Sequence, residues 1–181
     1  MSNNIRATYQ NGWADILGEI NVRGAGGNDP TWAQIGATAF SAYRFGLNDE
    51  CWVAYHIPHS YRAGTDIYFH AHWIADGTNA QNVRWEWTWA TAKGYNQGAF
   101  NFTGTTVTKD QANGVQYQHQ IAEISTPASS VNFEVDGLIM CRIRRITNGA
   151  TDNADNIFLL MADAHVEVDQ IATPNRNYPF T

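Results

Sequence analysis

The segment Val83-Arg84-Trp85-Glu86-Trp87-Thr88-Trp89-Ala90 constrains this chain more than any other. Tryptophan occupies every second position, with Arg84, Glu86 and Thr88 between or beside the indoles. A period of two belongs to a β-strand, whose successive side chains point to opposite faces; a helix would scatter the three indoles around its circumference. Three indoles on one face are too much apolar surface to leave in water. Trp85, Trp87 and Trp89 are therefore expected to form a wall of the core or of a contact between subunits. Such a wall needs a second layer to close it.

The same alternation recurs along the chain. Glu50–His56, Asp66–Ile74, Ala99–Val107, Val115–Ile124, Val135–Ile146 and Ile157–Val168 read as further strands, punctuated by turn signals such as Pro58 and Asp76-Gly77. Val135–Ile146 places Ile139, Cys141 and Ile143 on one face and Met140, Arg142 and Arg144 on the other. Ile157–Val168 places Phe158, Leu160, Ala162, Ala164, Val166 and Val168 inward, with Asp163, His165, Glu167 and Asp169 outward. Helical candidates are confined to the short stretches Ala33–Ala42 and Asp110–Ala112. Seven or eight strands without a helix of useful length specify an all-β chain, an antiparallel β-sandwich or jelly roll. Residues 1–45, polar with scattered aromatics and broken by the loop 24–30, read as an extended N-terminal arm with edge strands. Residues 46–181 read as the sandwich, ending in an extended tail from Ala172 to Thr181. The two parts form one domain, and 181 residues suffice for one filled core.

Aromatic residues make up 13% of the chain and charged residues only 15%, against about 25% in an average protein. That composition offers ample apolar material for folding and leaves much neutral surface, of the kind found where proteins pack together. A net charge of −6 with no Lys/Arg run excludes a general attraction to nucleic acid or anionic lipid. No apolar run approaches the roughly 20 residues of a membrane helix, and the N-terminal residues lack the apolar stretch of a signal peptide. The chain reads as made and kept in a reducing cytoplasm. Cys51 and Cys141 lie far apart inside alternating apolar segments, without CxxC spacing, and are expected as buried thiols.

His70 and His72 form the sharpest chemical motif. On a strand both imidazoles point the same way, with their Cα atoms roughly 7 Å apart, a geometry that can hold a divalent metal. The run from Gly64 to His70-Ala71-His72 resembles the first motif of the cupins, which are jelly-roll proteins. Here, however, Trp73-Ile74-Ala75-Asp76-Gly77 follows in place of a glutamate, and no second motif leads to His165. The plainer reading is hydrogen bonding across strands or at a subunit contact, with no cofactor. His56 and His59 flank Pro58 and add two imidazoles nearby in sequence; His119 reads as a surface residue, and His165 shares a face with Asp163 and Glu167. There is no Gly-x-Ser-x-Gly, His-Glu-x-x-His or phosphate-binding glycine loop. The carboxylate pairs Glu86/Glu123 and Asp66/Asp76 are of the kind chance supplies among 17 acids. Arg142, Arg144 and Arg145, the densest basic patch, read as partners for the carboxylates of a neighbouring protein.

Several of these segments together resemble small structural proteins of tailed bacteriophages. The resemblance lies in Trp13-Ala14-Asp15, the run from Ile57-Pro58-His59 to Gly64-Thr65-Asp66, His70-Ala71-His72-Trp73, Val83–Trp87, Cys141–Arg145 and Asp163-Ala164-His165. It spans residues 13 to 168 and is similar to the jelly-roll decoration, or cement, proteins of phage heads. It implies a non-enzymatic homotrimer, made in the host cytoplasm, that binds the major capsid protein on the virion surface. Related jelly rolls in tail spikes and fibres bind host glycans, which is the alternative; a cupin-like metalloprotein using His70 and His72 is the third.

Overall fold

The chain is represented by a computed structural model, which describes residues 12–23, 28–95, 97–108, 110–112, 114–149 and 151–169. The first part of the expected arm, most of the glycine-rich loop and the tail from Ala172 lie outside the described residues. The strands are β1 (Gly12–Gly18), β2 (Thr31–Gln34), β3 (Ser41–Phe45), β4 (Glu50–His56), β5 (Tyr68–Ala75), β6 (Asn82–Ala92), β7 (Asn101–Val107), β8 (Gln111–Ala112), β9 (Gln120–Glu123), β10 (Leu138–Ile146) and β11 (Ile157–Val168).

They form two antiparallel sheets. The larger has the order β2-β3-β11-β5-β9, and the smaller β4-β10-β6-β7, with the short β8 pairing to β6. β1 and β3 share one edge of β11: β3 pairs with residues 157–159 and β1 with residues 162–168. From β3 to β6 the chain alternates between sheets, β6 and β7 are neighbours in one sheet, and β9, β10 and β11 alternate again. This is the winding of a jelly roll. The fold is the β-sandwich that the alternation implied.

Local departures have physical causes. Ala33–Ala42 forms the β2–β3 hairpin, closed by Ile35 N–H donating to the Phe40 carbonyl and turned at Gly36, whose φ of 53° lies in the left-handed region. Asp110–Ala112 contributes β8, and only Gln120–Glu123 of the expected strand 115–124 is extended, because Tyr117 turns the chain with a φ of 60°. The described part of the N-terminal segment contributes β1, β2 and β3, with all seven residues of β1 paired to β11. Leu160, expected inward, is 40% exposed. A shift in the β5–β11 register between Leu159 and Met161 inserts one extra residue, so the inward row changes from Ile157 and Leu159 to Ala162, Ala164 and Val166. Phe158, expected in the main core, is instead buried in a small second cluster with Ile35, Ala42 and Ile74.

The main core is an interlock of rings from both sheets. Trp85 and Trp87 of β6 are fully buried and Trp89 nearly so. Phe69 of the opposite sheet stacks on Trp87 at 5.2 Å and on Tyr55 at 5.9 Å, with interplanar angles of 12° and 18°. Phe45 meets the edge of Trp85 at 5.2 Å. The two thiols sit in the same core as free cysteines, and burial pushes the Cys51 thiol up to about 12, with a smaller push from Glu50. Gly104, directly opposite Trp89 in the β6–β7 register, has no room for a side chain: a Cβ there would lie 1.8 Å from the indole.

Trp87→Ala is expected to cost about 3–5 kcal/mol in urea unfolding followed by intrinsic fluorescence, since it empties a sealed site. Gly104→Val should cost about 1–3 kcal/mol by overpacking, and most of that added penalty should vanish in a Trp89→Ala background. An unchanged penalty would place the indole elsewhere.

Candidate functional site

On β5 the inward residues are Phe69, Ala71, Trp73 and Ala75, so strand alternation turns His70 and His72 to the outer face of the larger sheet. Pairing then assembles their neighbours. Asp163 of β11 lies opposite His70, His165 opposite Tyr68, Glu123 of β9 on the other side of His70, and Asp15 of β1 opposite His165. The result is a row of four imidazoles. His165 and His70 are 4.0 Å apart between ring centres, His70 and His72 4.9 Å, and His72 and His119 4.9 Å with nearly parallel planes.

The row is buried at its centre. His70 and Asp163 are 1% and 3% exposed, although both sit on the face directed away from the core. Asp163, expected among the exposed outward residues, is covered because imidazoles crowd over it: its Oδ1 lies 2.6 Å from His70 Nε2 and 3.2 Å from His72 Nε2. Those contacts lack hydrogen-bond geometry. Asp163 Oδ1, His72 Nε2 and His70 Nδ1 are all shut off from solvent without a hydrogen bond among the described residues. His72 Nδ1 and His119 Nε2, by contrast, are hydrogen-bonded at 2.7 Å. Burial pushes the His72 imidazole below its usual value, outweighing the upward pull of Asp163; His70 and His119 lower it further. His165 is held between two carboxylates, with Nε2 3.0 Å from Asp15 Oδ1 and Nδ1 3.2 Å from Glu123 Oε2. Beside it opens a cleft of about 320 Å³ lined by Trp13, Tyr68, Glu123 and His165.

The remaining sequence candidates lie elsewhere. His56 belongs to the smaller sheet and pairs with Asp136 at 2.9 Å, so it does not join the row. Glu86 and Glu123 fall on different sheets, and Asp66 and Asp76 brace separate loops, accepting from Ser130 N–H and from Asn156 N–H. Arg142 and Arg144 find their carboxylates within their own chain: both contact Glu86, at 3.1 and 2.9 Å, and Arg142 also approaches Glu50 at 3.6 Å. Arg145 is no docking residue. It follows Ile139, Cys141 and Ile143 on the inward face of β10, is 5% exposed, and donates to the Phe45 and Asn153 carbonyls at 2.8 and 2.6 Å. Sequence reasoning missed the convergence of His119, Asp15, Glu123 and Asp163 on the His70-x-His72 pair, because it depends on which strands are neighbours. For Arg145 the signal was present, since the alternation of β10 already places it inward.

No protein-family model matches the sequence, and no curated protein matches it. Among solved structures, it is similar to CBM35 from Cellvibrio japonicus Abf62, at 11% identity and a TM-score of 0.44, covering 86% of this chain and 93% of that one. Dimeric latent PorU from Porphyromonas gingivalis is similar over 90% of this chain, at 12% identity and a TM-score of 0.40, and the chain spans only 13% of PorU. The stem and receptor-binding domain of spike protein P1 from bacteriophage PM2 is similar over 84% of this chain and 66% of that one, at 7% identity and a TM-score of 0.29.

Arg145→Met should destabilise the fold by about 2–4 kcal/mol, because two buried carbonyls lose their donor. Arg142→Ala, at a partly exposed ion pair, should cost about 1 kcal/mol or less. Chemical denaturation of both variants checks the contrast, and equal costs would contradict it.

Proposed function

We propose that this chain is a structural protein of a bacteriophage virion, a head decoration protein that binds the major capsid protein as a homotrimer and stabilises the shell without catalysis. The observation that carries this reading is an exposed apolar groove in the larger sheet, where β1 and β3 meet along β11. Leu17 and Trp32 are 66% and 62% exposed, and with Ile20, Tyr43, Leu160 and Met161 they line a groove of about 450 Å³. Large apolar side chains gathered in one groove in this way suit burial against another protein. The β-bulge that turns Leu160 and Met161 outward contributes directly to that groove. The sequence resemblance over residues 13–168 supports the phage context, and a subunit that binds only the assembled lattice stabilises it by mass action.

A second reading, a tail protein that binds host glycan, is favoured by the cleft of Trp13, Tyr68, Glu123 and His165, which joins two aromatic rings to a carboxylate and an imidazole. Sugars are held by that kind of combination, with ring faces against apolar sugar surface and polar groups on hydroxyls.

Light scattering of the purified chain should give a mass near three times 20.2 kDa, and the protein should rebind heads of the encoding phage from which it has been stripped. Trp32→Asp together with Leu17→Asp should abolish head binding while leaving the far-ultraviolet spectrum unchanged. A stable monomer that leaves heads bare, yet binds a glycan array in a Trp13-dependent manner, would transfer the assignment to the second reading.

A further inference from the structure

We propose that His70, His72 and Asp163 form a binding site for one divalent transition-metal ion of the zinc class, a clasp between β5 and β11. One ligand atom from each residue lies within 4.8 Å of the other two. The inference rests first on what these atoms lack. Asp163 is a buried carboxylate whose ion-pair contacts among the described residues are imidazoles only, and a buried charge without compensation is costly. Its Oδ1 and the nearby His72 Nε2 converge at 3.2 Å without satisfying each other as donor and acceptor. A tetrahedral ion with bonds of about 2.0–2.1 Å sets its ligands roughly 3.3 Å apart. The His72–Asp163 separation of 3.2 Å is already close to that value, and the 2.6 Å between His70 Nε2 and Asp163 Oδ1 must open by about 0.7 Å for the same geometry. Two imidazoles and one carboxylate suit zinc, cobalt, nickel or iron(II) better than calcium or magnesium, which prefer oxygen alone.

The surroundings of His72 fit the same role. A histidine that ligates through Nε2 must carry its proton on Nδ1, and His72 Nδ1 has an acceptor in place at His119 Nε2, 2.7 Å away. That contact orients the ring and, with His72 Nδ1 as the donor, leaves Nε2 free to ligate. His119 is therefore a positioning residue. The neighbouring trio of Asp15, His70 and His165 is a weaker candidate, because both His165 nitrogens already face carboxylates and Asp15 is exposed. Three protein ligands leave a position for water or for a group from a partner covering this face.

The test uses the full chain, stripped with chelator and titrated with cobalt(II) and with zinc(II). One equivalent of cobalt should bind and give visible absorption of low-coordinate intensity, and zinc should raise the thermal unfolding temperature and compete the cobalt signal away. His72→Gln, a partly exposed position, and Asp163→Asn should each lower affinity by at least about 100-fold, and His119→Gln by about 10–100-fold, all with an unchanged far-ultraviolet spectrum. The proposal is overturned if no ion binds below millimolar concentration, or if His72→Gln binds cobalt as tightly as the unaltered chain, which would locate the ion elsewhere. Should Asp163→Asn fail to fold, His72→Gln and His119→Gln decide the matter alone.

Discussion

The insertion of Phe69 between Tyr55 and Trp87 is the contact on which the rest of the molecule depends. It is the point where a ring from the larger sheet enters a slot between two rings of the smaller one, and stacked aromatic pairs add specific geometry to the general gain from burial. The interlock carries a cost. The indole N–H groups of Trp85 and Trp87 and the Tyr55 hydroxyl are buried without hydrogen bonds among the described residues. The core tolerates these polar atoms because each belongs to a side chain whose apolar area is far larger.

The parity of β5 follows from that slot. With Phe69 committed inward, period-two alternation commits His70 and His72 outward, and a one-residue slip would exchange the two sets. The arrangement separates two jobs between the faces of one strand: Phe69, Ala71 and Trp73 close the sandwich, and the histidines meet Asp163, His165 and His119 on the far side. The bulge in β11 makes the same division on the neighbouring strand, since it keeps Ile157 and Leu159 inward at one end and Ala162, Ala164 and Val166 inward at the other.

Much of this was legible in the residues themselves. The tryptophan strand, the inward rows of β4, β6 and β10 and the all-β class follow from alternation alone. What alternation cannot reveal is a change of phase, so Leu160 and Phe158 were misplaced by a single inserted residue. It is equally silent on strand neighbours. The residues that complete the histidine row come from β1, β9, β11 and the loop before β9, separated along the chain by up to 150 positions but adjacent in the sheet. Arg145 shows the opposite error: its parity was readable, but a guanidinium suggested surface. It is inside because two carbonyls at the end of the sandwich accept its protons.

The sealed state of Cys51 and Cys141 bears on the chain's passage between environments. Both thiols are held protonated by burial, and a protonated, inaccessible sulfur is a poor nucleophile toward oxidants, alkylating agents or another disulfide. A move from a reducing to an oxidising medium therefore brings no covalent change while the core stays closed.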